Sequence, residues 1–519
     1  MWTSSRQNEV SRPVFAYLPG RDIGLTISGH TAHIRKSAAC GWYAAAMSTE
    51  QADQRRSRVL RGNALWWIAL AAGLLLRLWF LQHPMPSDDD TDVYAGLARN
   101  LFHHGIYGFE TDGVIDPTLI RLPGYPLFLG LIFAVFRAGN FTAVLLAQIG
   151  FDLLGCWLIA SFVREQASER AGTVAIFLAA LCPFTAAYSA IALTECLSVF
   201  AVSLALWSAG RVLQAQASGH ADRRALLFAS LAMAMAMLLR PDGALVAAAV
   251  TAAIVWYAWR ERQPLAGLKT ALLCGLLAVL PLAPWVVRNW RTFHVVQPLA
   301  PRRVNDPGEY VTYGFYRWMG TWSVDIVSTG NVFWQVGTDD IDVNDLPSRA
   351  FDSPVQRAQT AALLAKYNTR HTVTPELDAE FAALAEERVR AHPLLCRVWV
   401  PALRVADMVL RPRTETLGLD ADWWRFAEHR AESVEAVGLG LLNAVLVIAA
   451  LVGVARRRVP WVALMLVYAV LRCALLSTME NSEPRYTLEL LPILMVCAAC
   501  GVAGARVWPA KPISAAGWN

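Results

Sequence analysis

The sequence predicts an all-α protein that crosses a membrane about ten times, with helices along the interface and a small, mainly helical domain on the outer side. Three observations predict it. The 519 residues are 55% hydrophobic and 17% charged, with a mean hydropathy of +0.37, whereas a soluble chain carries about 25% charged residues. Apolar runs near the ~20 residues that a bilayer core requires recur along the chain. Arginines gather at alternate ends of those runs, the bias that orients membrane helices.

The runs fall near 63–82, 141–163, 171–188, 193–211, 224–240, 243–258, 267–287, 434–455, 459–478 and 487–506. Arg55, Arg56, Arg58 and Arg61 precede the first, Arg164 and Arg170 follow the second, and Arg211, Arg223 and Arg224 follow the fourth. Arg260, Arg262 and Lys269 flank the loop before the seventh, and Arg456, Arg457 and Arg458 follow the eighth. All lie on one side if both termini are cytoplasmic and there are ten spans, so the expected location is the cytoplasmic (inner) membrane, multi-pass. Pro126–Phe136 is apolar but too short to cross, and is expected to lie along the interface. A crossing there would put Arg223 and Arg224 outside.

The chain then divides into a cytoplasmic tail (1–62), a first membrane module (63–288) with an outer loop at 83–140, an extracytoplasmic domain (289–432), the last membrane helices (433–506) and a second cytoplasmic tail (507–519). Residues 1–46 show no period, and Met47 is the expected native start. In the outer loop Tyr94, Leu97, Ala98, Leu101 and Phe102 recur at helical spacing, with Arg99, Asn100, His103 and His104 off the stripe. An amphipathic interfacial helix ending at Gly105 is expected. In the extracytoplasmic domain Thr374 is an expected N-cap with Pro375 at the first helical position. Leu377, Phe381, Leu384 and Val389 form the stripe, and His392–Pro393 stops it. The nine cysteines are scattered and form no disulfide framework. Cys497 and Cys500 sit inside a membrane run and read as two packed thiols. The net charge of +5 gives no reason to expect nucleic acid as a partner.

The chemistry gathers at the outer ends. "SDDDTDVYAGLARN" places Asp88, Asp89, Asp90 and Asp92 directly after the first run. A helix cap accounts for one of them, not four. Neighbouring acids raise each other's pKa unless a cation compensates, which suits a base that takes a proton from a hydroxyl. Arg121 stands before the stiff turn Leu122-Pro123-Gly124-Tyr125-Pro126; it suits a phosphate bound by two prongs, and equally an arginine reaching toward lipid headgroups. Glu195, Arg240 with Asp242, Arg288, and Glu483 with Arg485 and Tyr486 stand at later outer turns. Ionisable groups near membrane depth usually line a cavity, and these converge on one leaflet. Asp152 sits mid-run, where a buried ion pair with Arg77 or Arg472 is expected.

These residues, in this order, resemble the GT-C superfamily of polyprenyl-phosphate-dependent glycosyltransferases. The nearest likeness is to the family of protein O-mannosyltransferases and bacterial lipid A aminoarabinose transferases (glycosyltransferase family 39-like). The resemblance implies a GT-C-like bundle and makes Asp90, four before Tyr94, the acid of the first outer loop, with Asp89 and Asp92 as register alternatives. Arg121 falls on the family's basic residue, Glu195 on its second acid, and Arg240, Arg288 and Arg485 with Tyr486 on later elements. Tyr94 and Tyr125 are expected to line the substrate cavity. The implied donor is a sugar on a polyprenyl phosphate. Asp90 would deprotonate the acceptor hydroxyl, the anomeric configuration would invert, and the arginines would stabilise the leaving phosphate. No cofactor is certain; a divalent metal held by Asp90 or Glu195, with Asp89, would be the alternative stabiliser, and the sequence leaves that choice open. The acceptor stays open among glycolipid, polysaccharide and protein, although the lack of a MIR-type insertion disfavours protein. Membrane lipids are the remaining expected partner. The rival class is a multi-pass transporter or flippase; it predicts internal repeats and polar groups at the midplane, and neither is evident.

Overall fold

The structure, a computed structural model, describes residues 64–83, 89–419 and 423–504. The expected tails and Asp88 lie outside the described residues. Within the described residues every expected run is mainly helical. Seven segments are long and apolar enough to cross a membrane: Ala64–Gln82 (α1), Phe141–Gln166 (α4), Thr194–Ala217 (α7), Pro241–Arg260 (a 3-10 turn and α9, Ala244–Arg260), Pro264–Phe293 (α10, Pro264–Val279, and α11, Ala283–Phe293), Arg430–Ala455 (α17) and Pro484–Val502 (a 3-10 turn and α19, Leu491–Val502). An eighth is the pair Glu169–Ala180 (α5) and Pro183–Ser189 (α6), bent by 51°.

Two further helices of the expected ten fall short of that length. Arg223–Leu239 (α8) and Val462–Ser477 (α18) have 17 and 16 residues, or ~25 Å each at 1.5 Å per residue, against a ~30 Å hydrocarbon core. The first is bounded by Arg223-Arg224 and Arg240-Pro241; the second starts only after Trp461, whose φ is 50°. By length and composition seven described segments suit a crossing, or eight with the bent pair, and α8 and α18 join the same two ends of the bundle in fewer residues.

The bend has a local cause. Pro183 has no N–H to donate, so carbonyls at the end of α5 lose their helical partners. Arg77, fully buried on α1, donates to Ala180 O at 2.7 Å and Gly73 O at 2.8 Å, and its Nε donates to Asp152 Oδ2 at 2.6 Å. Arg77 is thus the partner of Asp152. The pair ties α1, α4 and α5 together where an unpaired charge would be costly.

The helix ends sort into two groups. The Trp461 indole donates to Gln166 Oε1 at 2.9 Å and packs edge-on against Tyr257, so the last turns of α4 and α9 meet the start of α18. The opposite end gathers the start of α7, the end of α8 and the 3-10 turn before α19. Asp89–His104 (α2) and Gly124–Phe136 (α3) pack there through Ala95, Ala98, Tyr125 and Leu129. Gly105 ends α2 with φ +70°. A hairpin the sequence did not announce follows, Gly108–Thr111 (β1) paired antiparallel with Val114–Pro117 (β2). Its turn residues Asp112 and Gly113 both have positive φ, at 53° and 80°, as a two-residue hairpin turn demands.

Between α11 and α17 a domain is inserted with its own core of Phe315, Trp318, Trp322, Tyr367 and Phe381. It holds Tyr313–Gly320 (α12), Ile326–Ser328 (α13), Pro354–Asn368 (α14), Pro375–Ala391 (α15) and Val400–Leu410 (α16). Thr374 caps α15 by accepting from Leu377 N, and His392 ends it. One position of the expected stripe is corrected. Arg388 takes the buried place beside half-buried Val389, and its guanidinium donates to Thr321 Oγ1 at 3.0 Å and Gln356 Oε1 at 2.7 Å.

Candidate active site

Five separate segments bring charge to one point. Asp90 lies in the first turn of α2. Its Oδ1 accepts from Arg121 Nη2 at 2.8 Å, and its Oδ2 accepts from Arg485 Nη2 at 3.4 Å. Glu195 lies in the first turn of α7, where free N–H groups favour an acid. Its Oε1 accepts from Arg240 Nη1 at 2.8 Å, and Arg485 Nε stands 4.0 Å from the same oxygen. Arg485 therefore spans both acids, with Arg121 outside one and Arg240 outside the other. Asp90 is 24% exposed and Arg121 23% exposed, so a ligand can reach this pair. Glu195 is buried.

The backbone explains these positions. Arg240 is the C-cap of α8, in extended conformation because Pro241 follows. Arg485 starts the 3-10 turn after Pro484 and also pairs with Glu483. The Tyr486 ring lies under both guanidiniums, 5.4 Å from Arg240 and 5.7 Å from Arg485, and its hydroxyl donates to Glu483 Oε1 at 2.7 Å. Gly124 lets the loop that carries Arg121 approach α8: a Cβ there would stand 2.5 Å from Leu238 O.

A buried layer lies behind the arginines. Arg240 Nε is 3.3 Å from Asp242 and 3.4 Å from Glu489. Arg472, on α18, reaches Glu489 Oε2 at 2.7 Å and Asp242, and donates to Tyr486 O at 2.6 Å. Arg472 is thus engaged here and not with Asp152. Glu489 was missed by sequence reasoning. Its signal was a charge inside the apolar run "YTLELLP", and charges at that depth seldom stand alone.

The remaining expected residues sit elsewhere. Arg288 donates to Thr118 O at 2.8 Å and Tyr107 O at 2.6 Å, and lies against the rings of Tyr107, Trp285 and Phe293. It braces the loop that presents Arg121 through those two carbonyls, and also donates to Asn289 Oδ1 at 3.0 Å. Tyr107 helps, donating to Leu122 O at 3.1 Å, and burial holds its phenol well above its usual range. Tyr94 is half-buried with its ring edge on Tyr125, 5.2 Å between centroids. Burial pushes Tyr94 up to about 12, Arg121 opposing. Tyr125 is fully buried and donates to Gln148 Oε1 at 2.7 Å, which places it inside the bundle and not on a cavity. Asp92 is exposed. Asp89 opens α2, and its side chain lies outside the described residues.

No group of three or more His, Cys, Asp or Glu side chains suited to a metal occurs among the described residues. The donor set at Asp90 and Glu195 also fits a cation poorly, because guanidiniums stand against both carboxylates.

Residues 119–287 match the model of the dolichyl-phosphate-mannose-protein mannosyltransferase family. The motif resemblance is borne out across that segment, which holds Arg121, Glu195 and Arg240. No curated protein matches the chain. Among solved structures, the archaeal oligosaccharyltransferase AglB of Archaeoglobus fulgidus, in complex with an inhibitory peptide and a dolichol-phosphate, is 12% identical over 85% of this chain and 50% of its own, with a TM-score of 0.46. The same organism's oligosaccharyltransferase in complex with Zn and sulfate is 14% identical over 84% and 49%, at 0.47. ArnT of Cupriavidus metallidurans bound to undecaprenyl phosphate is 16% identical over 83% and 77%, at 0.36. The chain spans about half the length of the oligosaccharyltransferases.

Proposed function

We infer, from the family match over residues 119–287, that the chain is a membrane glycosyltransferase that moves a sugar from a polyprenyl-phosphate carrier to an acceptor hydroxyl. The observation that carries the reading is the placement of Arg485 across Asp90 and Glu195, with Arg121 and Arg240 flanking. Two acids and three arginines at one end of the bundle suit a reaction whose acceptor loses a proton while a phosphate gains charge.

Asp90 is the base, because it is the more exposed of the two acids. Its carboxylate takes the hydroxyl proton, and the acceptor oxygen bonds to the anomeric carbon. The bond from that carbon to the phosphate oxygen breaks, and the polyprenyl phosphate leaves with the electron pair. Attack opposite the leaving group inverts the configuration. Arg121 and Arg485 gain more from the leaving phosphate than from the bound diester, since charge rises there as the bond breaks. The same phosphate competes with Asp90 for those two guanidiniums, so donor binding frees the carboxylate at the moment it is needed. Buried Glu195 holds Arg240 and Arg485 in place. No step passes through a metal. The charged end faces outward from the cytoplasmic membrane, because the flanking arginines gather at the other end. The sugar and the acceptor class, whether glycolipid, polysaccharide or protein, are set by contacts beyond these residues.

The test is transfer by the purified full-length protein in liposomes, with a radiolabelled sugar on a short polyprenyl phosphate and the bacterial envelope fraction as acceptor. Label is expected to move from that donor and not from the matching nucleotide sugar. Transfer from the nucleotide sugar alone would overturn the reading.

A further inference from the structure

The last helix of the inserted domain buries one arginine on its inner side and is apolar outside. Leu395–Trp399 is a π turn that runs directly into α16. The inward positions Cys396, Val400, Arg404 and Met408 recur every four residues and are buried. Arg404 is 2% exposed, and its guanidinium donates to Ser323 O at 2.7 Å, Gly320 O at 3.0 Å and Ser477 O at 3.1 Å. The outward positions Leu394, Leu395, Val398, Trp399, Leu403 and Leu410 are all exposed, Trp399 by 60% and Leu394 by 70%. Arg397 is the only charged residue among the exposed positions of this stretch. In the same domain α14 and α15 have the opposite polarity, burying Leu364 and Phe381 and exposing Lys366 and Glu380. Those two helices face water. Six large apolar side chains together on a water-facing helix would form a patch that soluble surfaces rarely leave open.

The neighbours of α16 identify what covers it. Ser477, which accepts from Arg404, is the last residue of α18, so α16 lies where a membrane segment ends. The adjoining helix α17 exposes Val434, Val437 and Leu441, and its Asn443 donates to Val409 O of α16 at 2.7 Å. The helix is too short to cross, and charged Arg404 and Asp407 interrupt it. We propose that α16 lies in the bilayer interface with its outward face in lipid, a second and non-crossing anchor for the inserted domain. Trp399 and Arg397 then sit at the level where an indole and a long basic side chain meet headgroups. The anchor bears on the site, because Thr487 Oγ1, on the turn that carries Arg485, donates to Met408 O at 3.3 Å. It sets the height of Arg485 relative to the membrane surface. This inference rests on the protein being in a membrane, not on what it transfers, so either can fail alone.

The test is spin labelling of the full-length protein in phosphatidylethanolamine–phosphatidylglycerol liposomes. Single cysteines are placed by Trp399→Cys and Leu403→Cys, with Glu380→Cys on α15 as water reference and Val437→Cys on α17 as lipid reference. The unsubstituted protein's signal is subtracted, and only protein that elutes like the parent is measured; Leu395→Cys replaces either site if one fails to elute so. Labels on α16 are expected to relax like the Val437 site, fast with oxygen and several-fold slower with a soluble nickel chelate. Relaxation like the Glu380 site would mean a water-facing helix. Protection from both reagents would mean a protein cover, a second copy included. Either result overturns the proposal.

Discussion

Arg485 is the residue whose geometry distinguishes a phosphate site from a set of internal ion pairs. It faces three acids, Asp90, Glu195 and Glu483, and lies over Tyr486. A guanidinium binds two phosphate oxygens in one plane, whereas an ammonium offers one charge without the plane. Arg485→Lys is therefore expected to retain a few per cent of kcat/KM and Arg485→Ala to lose ~10²–10³-fold. The loss belongs in kcat if the arginine meets charge developing on the leaving group, and in KM if it only holds the donor. Steady-state kinetics of both variants check this, and wild-type kinetics in both would remove Arg485 from the mechanism. At this scale the sequence was legible where a charge stood beside a turn residue. Arg121 precedes Leu122-Pro123, Arg240 precedes Pro241, and Arg485 follows Pro484; all three reach the cluster. Arg288 shows the limit. Its motif is as clear as the others, but whether its guanidinium meets a ligand or the carbonyls of Thr118 and Tyr107 depends on contacts across about 170 and 181 residues of chain.

The elements that present these residues depend on close backbone approach. α3 starts at Gly124, where a Cβ would meet the Leu238 carbonyl at 2.5 Å. Gly124→Ala is expected to push the Arg121 loop from the end of α8 at a cost of about 1–3 kcal/mol. Detergent thermal melts should show the lower Tm, and transfer should fall further than the loss of folded protein explains. An unchanged Tm with full activity would mean that the loop is not held by α8. The helices themselves were readable, since α5, α7, α9 and α15 fall where apolar period and caps place them. The hairpin β1–β2 was not. "GFETDGVIDP" has an Asp-Gly turn, but strands of four residues are too short for alternation to stand out. The outward apolar face of α16 was also hidden, because an apolar face reads the same from sequence whether it meets a core or lipid.

In the whole molecule, five carboxylates (Asp90, Glu195, Asp242, Glu483 and Glu489) and four guanidiniums (Arg121, Arg240, Arg472 and Arg485) gather at one end of the bundle. The arginines that border the helices gather at the other end. The orientation that follows is testable with reporter fusions. Fusions after Arg223 and after Arg457 are expected to report cytoplasm, and fusions between 300 and 420 the outer compartment. A cytoplasmic signal from the inserted domain would turn the protein over. Helix length was the least legible global property, because α8 and α18 have the composition of crossing helices and join the two ends of the bundle in only 17 and 16 residues. The central claim is that Asp90 takes the proton, and a single-turnover transfer rate measures it most directly. Asp90→Asn keeps the side chain's size and one acceptor oxygen for Arg121 or Arg485, but puts an NH2 donor in place of the other oxygen and removes the negative charge that accepts a proton. Protein of unchanged Tm and unchanged donor affinity is expected to transfer at least ~10²-fold more slowly. Transfer at the parent rate by that same folded, donor-bound protein would contradict the account.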